Sequence, residues 1–291
     1  MRLRLRDRWL DLEPGRPLLM GIVNASPDSF SDPGARGLDE LVAQAHAQVL
    51  AGAALVDVGG ESGRTDRLAV SEEEEISRVA PLVERLARSG LAVSVDTWRA
   101  PVASAALKAG AVMINDVSGL SDPGVADACA ECGAALVVTH TRLPPKQKGF
   151  PDYADVVVDV LELLRERVSE ARSRGVDEDQ LVLDPGIDLA KSPAESIEVL
   201  HRLPELAPLG RPLLLAVSRK DFVGALTGRP PAARQAGTLG ALGGAADGGA
   251  AILRVHDVGE AADYLAVRGA ISGDPAPLGL ELGHDLRREP A

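Results

Sequence analysis

The sequence predicts a (β/α)8 barrel, and three observations predict it. Eight short apolar or β-branched runs recur along the chain, each nearly continuous, as strands buried on both faces of a parallel sheet require. Helical patterns fill the intervals between them. The length of 291 residues suits one barrel. A doubly wound sheet is the competing architecture, but it rarely needs eight evenly repeated units.

In order, MRLRLRDRWLDLEPGRP (1–17) alternates charged and apolar residues and predicts a short hairpin. The first barrel strand is LLMGIVN (18–24). It runs into NASPDSFSDPG, a segment far more polar than a connection needs, and such loops at strand ends usually carry function. A helix over 38–51 leads to ALVDVGG (54–60), followed by Glu61 and Arg64. The helix over 72–89 starts in SEEEE, where Ser71 is the expected N-cap and Glu74 completes a capping box. Its other glutamates favour the positive end of the helix. AVSVDT (92–97) carries Asp96, and a helix over 99–109 precedes AVMIND (111–116) with Asn115 and Asp116. The helix over 123–132 holds Cys129 and Cys132, a C-x-x-C with no second ligand pair, hence two ordinary helix residues.

The run AALVVTH (134–140) ends on His140, and a helix is predicted over 153–174. QLVLDPG (180–186) carries Asp184, with a helix over 194–203. PLLLAVS (212–218) leads to Ser218, Arg219 and Lys220, then a helix over 232–247. AAILRVH (250–256) carries Arg254 and His256, and a helix over 258–269 follows. The expected division is a hairpin segment over 1–17, the barrel over 18–272 and a tail over 273–291.

Composition narrows the partners. Formal net charge is -12, from 31 basic and 43 acidic residues, which argues against nucleic acid or an anionic membrane. Neither a signal peptide nor a membrane-spanning stretch is evident, so a cytoplasmic protein is expected.

The C-terminal ends of eight barrel strands converge on one mouth, where barrel enzymes place their chemistry. Here they bring Asn24, Glu61, Arg64, Asp96, Asn115, Asp116, His140, Asp184, Ser218, Arg219, Lys220, Arg254 and His256. Asp96, Asn115 and Asp184 suit a flat heterocycle with an amidine-like edge, since a carboxylate receives two parallel N–H bonds. Arg64, Arg254 and His256 suit an anion such as phosphate. Lys220 serves either subsite. Asn24 and its acidic loop neighbours suit Mg2+, a hard ion that prefers oxygen.

The stretches MGIVNASPDSFSDPG, DVGGESGR, VSVDTWRAPVASAALKAGAVMINDVSGL, LDPGIDLAKS, SRKDFVG and RVHDV carry a resemblance. From Leu18 to about Ala270 the chain is similar to dihydropteroate synthase, the pterin-binding barrel family of folate biosynthesis. The resemblance implies condensation of 6-hydroxymethyl-7,8-dihydropterin pyrophosphate with p-aminobenzoate, usually by a homodimer. It implies that Asp96, Asn115, Asp184 and Lys220 hold the pterin, with Asp96, Asp184 and Lys220 catalytic. Arg64, Arg254, His256 and Asn24 (through Mg2+) would hold the pyrophosphate.

The departures from the family pattern gather on one side. E-S-T-R-P-G reads Glu61-Ser62-Gly63-Arg64-Thr65-Asp66 here, and D-P-G-I-G-F-G-K reads Asp184-Pro185-Gly186-Ile187-Asp188-Leu189-Ala190-Lys191. The family's Ser after S-R-K is Asp221. Ser218, Arg219, Asp221 and Leu189 form the expected rim for the second substrate. A carboxylate at Asp221 is expected to repel that of p-aminobenzoate. The alternatives are a pterin-binding paralogue without synthase activity, or a pterin-barrel transferase with another acceptor.

Overall fold

A computed structural model of the chain describes residues 1–13, 15–25, 37–61, 68–274, 281–282 and 286. Among these residues ten strands run in chain order: β1 (Arg2–Leu5), β2 (Arg8–Asp11), β3 (Leu18–Asn24), β4 (Ala53–Gly59), β5 (Val93–Asp96), β6 (Met113–Asp116), β7 (Ala135–Thr139), β8 (Leu181–Asp184), β9 (Leu214–Leu215) and β10 (Ile252–Val255). Nine α-helices accompany them among the described residues: α1 (Leu38–Leu50), α2 (Glu72–Arg88), α3 (Ala100–Ala109), α4 (Gly124–Cys132), α5 (Val156–Ser173), α6 (Pro193–His201), α7 (Asp221–Thr227), α8 (Gln235–Asp247) and α9 (Val258–Ile271).

The last eight strands form one parallel sheet in the order β8-β7-β6-β5-β4-β3-β10-β9. A parallel bridge between Leu183 and Leu213, with Leu183 N–H donating to Pro212 O at 2.9 Å, draws its two edges together into a barrel. The expected β/α alternation is what the fold shows. The seventh barrel strand is shorter than predicted, because the chain turns away after Leu215 toward Arg219, whose φ is +60°. The short α7 had no counterpart among the predicted helices.

Period-two alternation sorts each strand's side chains. One parity faces the helices: Val56, Val58, Val95, Ile114, Val138, Leu183, Leu253 and Val255 join the larger apolar cluster with residues of the surrounding helices. The other parity fills the barrel, where Met20, Leu55, Met113, Val137, Val182, Leu214 and Ile252 pack together. The predicted hairpin closes that inner core from the N-terminal end. Leu3 and Leu5 of β1 are fully buried in it, and Arg6 N–H donates to Gly133 O at 2.8 Å. Apolar packing therefore seals the bottom, and polar side chains of the same inward parity are left at the top.

Helix starts follow their caps. Ser71 Oγ accepts from Glu74 N–H at 3.2 Å, the expected N-cap, but the expected capping box is not completed, because the Glu74 carboxylate pairs with Arg78; Asp155 accepts from the N–H groups of Val157 and Val158. The expectation that the remaining glutamates of α2 merely face its dipole is corrected for Glu75. That residue is completely buried and paired with Arg99. Cys129 and Cys132 are ordinary helix thiols whose Sγ atoms lie against backbone carbonyls, and burial pushes Cys129 well above its usual pKa. The tail expected over 273–291 lies mostly outside the described residues.

Candidate active site

Inward parity carries Asp57, Asp96, Asn115, Asp184 and Arg254 to adjoining positions above the apolar plug. The register is continuous across four strands: Asn24 pairs Gly59, Gly59 pairs Asp96, and Asp96 pairs Asn115. Asp57 lies one layer deeper and is fully buried. Its Oδ2 accepts from Asn115 Nδ2 at 3.0 Å and from Arg254 Nε at 2.6 Å. Arg254 Nη2 in turn donates to Asp96 Oδ2 at 3.0 Å. One guanidinium thus bridges two carboxylates, a planar fork suited to this task.

Buried acceptors remain. Asp57 Oδ1, Asn115 Oδ1, Ser94 Oγ and Thr139 Oγ1 have no hydrogen-bond partner among the described residues. Buried oxygens of this kind normally find donors, and several on one inner wall suit a ligand edge rich in N–H groups. The carboxylates resist ionisation. Burial pushes Asp96 up to about 7; Arg254 opposes the shift, while Asp57, Glu75 and Asp116 add to it. Burial also raises Asp184, against the Gly186 N–H and the cations Lys220, Lys191 and Arg254. Arg254 keeps its proton more tightly than usual despite burial, because Asp57 and Asp96 flank it.

The turn after β8 shapes one wall. Gly186 N–H donates to Asp184 Oδ1 at 2.7 Å, which fixes the carboxylate, and Lys220 Nζ donates to Ile187 O at 2.9 Å. Two of the departures noted in the sequence lie in the left-handed backbone region: Asp188 at φ +61° and Ala190 at φ +50°. Glycine occupies both positions in the family pattern, and it takes such angles without strain. The Asp188 carboxylate accepts the backbone N–H of Asp221, and Leu189 lies half-buried beside it.

On the adjoining wall, after β9 and β10, His256 Nδ1 lies 2.9 Å from Ser218 Oγ, which also accepts from His256 N–H at 3.3 Å. Burial, then the nearby Arg219 and Arg254, push His256 down to about 4, so it is a neutral donor or acceptor at pH 7. Ser218 and Arg219, assigned from sequence to the second-substrate rim, make internal contacts at the mouth. Ser218 contacts His256, and Arg219 Nη2 donates to both Asp257 oxygens at 2.8 and 3.0 Å. The repulsion expected from Asp221 needs correcting: its carboxylate pairs with Arg234 at 3.0 Å, so the charge is already partly offset.

Around the mouth, Glu61 accepts from Arg99 Nη1 at 2.9 Å and pairs with Lys146 Nζ at 2.9 Å, while Arg99 also pairs with Glu75. Asp116 sits on the outward parity, so it turns into its own loop and accepts from Ser118 N–H, Ser118 Oγ and Leu120 N–H. His140 is fully buried behind the wall, not in the lumen. Asn24 ends β3 at the exposed rim. Arg64 and the loop residues Ser26, Asp28, Ser29, Ser31 and Asp32 lie outside the described residues.

Asn24 is the described residue to test against Mg2+. Among the described residues no group of three or more His, Cys, Asp or Glu is arranged to hold a metal. A single carboxamide oxygen at the rim still fits Mg2+, which keeps several waters and takes its other ligands from substrate phosphates.

The sequence reading missed Asp57, although a carboxylate inside the apolar run ALVDVGG, two residues from Leu55 on the inward parity, was a usable signal. Arg99 and Lys146 gave no comparable signal, because their partners are distant in sequence.

Comparison with known proteins matches this geometry. Residues 20–256 match the family of pterin binding enzymes. A dihydropteroate synthase of Mycobacterium leprae is 44% identical over 263 residues, covering 87% of this chain and 92% of that protein. The dihydropteroate synthase of Bacillus subtilis is 42% identical over 246 residues, 84% of each chain. Among solved structures, a Xanthomonas albilineans dihydropteroate synthase with 4-aminobenzoic acid superposes with a TM-score of 0.86 at 44% identity. The alignment covers 94% of this chain and 99% of that one. The same enzyme in complex with 7,8-dihydropteroate gives 0.84 at 43%. The chain belongs to the pterin-binding enzyme family and, within it, to the dihydropteroate synthases.

Proposed function

We infer that this chain condenses 6-hydroxymethyl-7,8-dihydropterin pyrophosphate with p-aminobenzoate, giving 7,8-dihydropteroate and pyrophosphate. The observation that carries this is the inner wall of Asp57, Asp96, Asn115 and Asp184, with two buried oxygens still lacking donors, directly beside Arg254 and Lys220. A pterin presents the N–H edge those oxygens lack. Asp96, Asn115 and Asp184 would orient the ring by charge-assisted bonds, and Lys220 would donate from the side of Ile187.

The reaction exchanges one bond for another at the pterin methylene. The C–O bond to pyrophosphate breaks, its electron pair leaving with the phosphate, and the aniline nitrogen then forms the C–N bond and loses a proton. Arg254, His256 and Arg64 would receive the departing anion. Asn24 would hold Mg2+ against the pyrophosphate oxygens; when bound, the ion neutralises charge on the leaving group. Ionised Asp96 and Asp184 would favour the cationic methylene electrostatically. Homodimer assembly and a cytoplasmic setting follow the family's habit. No helix among the described residues is long and apolar enough to cross a membrane.

Synthase turnover by the purified chain tests the whole reading. Dihydropteroate formation with p-aminobenzoate is expected. Asp96→Asn or Asp184→Asn should each weaken pterin binding by roughly 1–3 kcal/mol, the scale of a lost charge-assisted bond. One observation favours a second reading, a transferase with another acceptor: Asp188 already occupies the Asp221 N–H at the start of α7. Pterin binding without turnover on p-aminobenzoate, but with another aniline, would support that alternative.

A further inference from the structure

Lys191 is a buried cation that the proposed chemistry leaves unused. Only 1% of it is exposed, and it sits behind the turn that follows β8. Its Nζ donates to Gly186 O at 3.0 Å, Leu189 O at 3.2 Å and His140 O at 3.4 Å, and lies 2.7 Å from His140 Nδ1. An ammonium has donors only, so His140 Nδ1 must accept and the ring proton must sit on Nε2. Nε2 then donates to Asp159 Oδ1 at 2.7 Å. Arg142 closes the chain by forking onto the same carboxylate, Nε at 2.9 Å and Nη2 at 2.8 Å. The result is a relay of fixed donors from the surface to the back of the active-site wall.

The turn gripped by Lys191 is the one that orients two pterin ligands. Gly186 N–H fixes Asp184, and Ile187 O receives Lys220. It also stores strain, with left-handed backbone at the two non-glycine residues Asp188 and Ala190. A Cβ at Gly186 would stand 2.0 Å from His140 O and 3.2 Å from Lys191 Nζ, so nothing but this clamp fits behind it. We propose that Lys191 is a positioning residue for pterin binding: its ammonium clamps the Gly186 and Leu189 carbonyls and thereby sets Asp184 and Lys220. The proposal rests on the assignment of those two residues to the pterin.

The charge of the clamp is conditional. Burial pushes Lys191 down to about 7, with Asp184, Asp159 and Glu195 pulling it up and Lys220 pushing it down. His140 is held neutral, at about 3, by burial and by Lys191 itself. Lys191 is therefore the group in this cluster whose proton is lost as pH rises through neutrality. Loss of that proton removes one donor from the turn and a neighbouring cation from Asp184.

Calorimetry of 6-hydroxymethylpterin binding to the full chain, from about pH 5 to about pH 9, tests this. In the wild type, affinity is expected to fall above neutral pH. Lys191→Met should bind roughly ten-fold more weakly at acid pH and show no further alkaline fall. Asp159→Asn removes a carboxylate that helps hold the lysine proton, so its alkaline fall should begin at lower pH than in the wild type. A Lys191→Met protein with wild-type affinity, or one that is weakened but keeps the alkaline fall, overturns the proposal. If Lys191→Met gives no cooperative melt, Asp159→Asn decides: an alkaline fall at the wild-type pH overturns it. A wild type that binds no pterin at any pH would instead overturn the functional reading beneath it.

Discussion

Arg254 and Asp57 form the innermost ion pair of the barrel, Nε to Oδ2 at 2.6 Å, with the Asp57 carboxylate wholly enclosed. The same oxygen holds Asn115, so one buried group fixes the rotamers of two residues that the sequence assigned to different subsites. Arg254 was expected at the pyrophosphate; its side chain reaches inward to Asp57 and Asp96 and borders both. Asp57→Ala should leave Arg254 with one partner and Asn115 with none at this wall. Breaking one side of a buried pair typically costs about 3 kcal/mol or more, so denaturant unfolding should register that loss. Pterin affinity should fall by at least roughly ten-fold, while Asp57→Asn, which keeps an acceptor oxygen, should retain more of both. Unchanged pterin affinity in Asp57→Ala would remove Asp57 from the site.

The acid titration of pterin binding follows from Asp96. In the free protein burial holds it near 7, with Arg254 opposing and Asp57, Glu75 and Asp116 assisting. A ligand that donates N–H bonds binds the ionised carboxylate, so the bound pKa must lie below the free one. Below neutral pH, binding should therefore release a proton, and affinity should rise with pH until Asp96 is ionised. Calorimetry in buffers of different ionisation enthalpy counts that proton. Asp96→Asn should bind more weakly and release less. Identical proton release from both proteins would assign the titration to another group.

The barrel and its mouth were legible because both are periodic. Eight buried parallel strands leave a repeating apolar signature, and strand ends are polar only where packing does not claim them. What escaped were side-chain destinations. Asp96 and Asp116 both sit at strand ends, yet parity sends one into the lumen and the other into its own loop. Glu75 reads as a helix-start glutamate, since a run of acidic residues after the Ser71 cap is explained by the helix dipole. Its pairing with Arg99, 24 positions away, is a tertiary fact with no local trace. Lys191 lies within a motif that matches the family but gives no local sign of its task, because its acceptors include carbonyls that every residue possesses.

Ala190 offers a stability test of the same wall. Its φ of +50° places a Cβ-bearing residue in the left-handed region, at a strain of about 1–2 kcal/mol. Ala190→Gly relieves that strain and returns part of it through the greater freedom of the unfolded chain, about 0.5–1 kcal/mol. A net gain of roughly 0.5–1 kcal/mol is expected, visible as a Tm increase of about 1–4 °C. Its turn carbonyls are unaltered, so pterin affinity should not change. A lower Tm would mean that the Ala190 methyl contributes packing that outweighs the strain.

The last prediction concerns the acceptor side, where Asp188 replaces Asp221 as the residue to change. The family resemblance puts an anion subsite after the S-R-K strand, at the start of α7. There the Asp188 carboxylate takes the backbone N–H of Asp221 and also contacts Ser196 Oγ at 3.1 Å. A substrate carboxylate would have to displace that internal one. The Asp221 side chain, by contrast, is largely exposed (66%) and already paired with Arg234, so its own repulsion is screened. Asp188→Gly should free the N–H and lower the KM for p-aminobenzoate by roughly ten-fold, the worth of about 1.4 kcal/mol from a charge-assisted bond. It should raise sensitivity to sulfonamides in parallel, because they compete for the same place. Asp221→Ser should change KM less, and Leu189→Phe added to Asp188→Gly should improve it further by giving the benzoate ring a larger wall. Steady-state kinetics at saturating pterin pyrophosphate separate these effects from pterin binding. A KM that improves in Asp221→Ser but not in Asp188→Gly would restore the exposed charge as the obstacle and exclude the internal carboxylate.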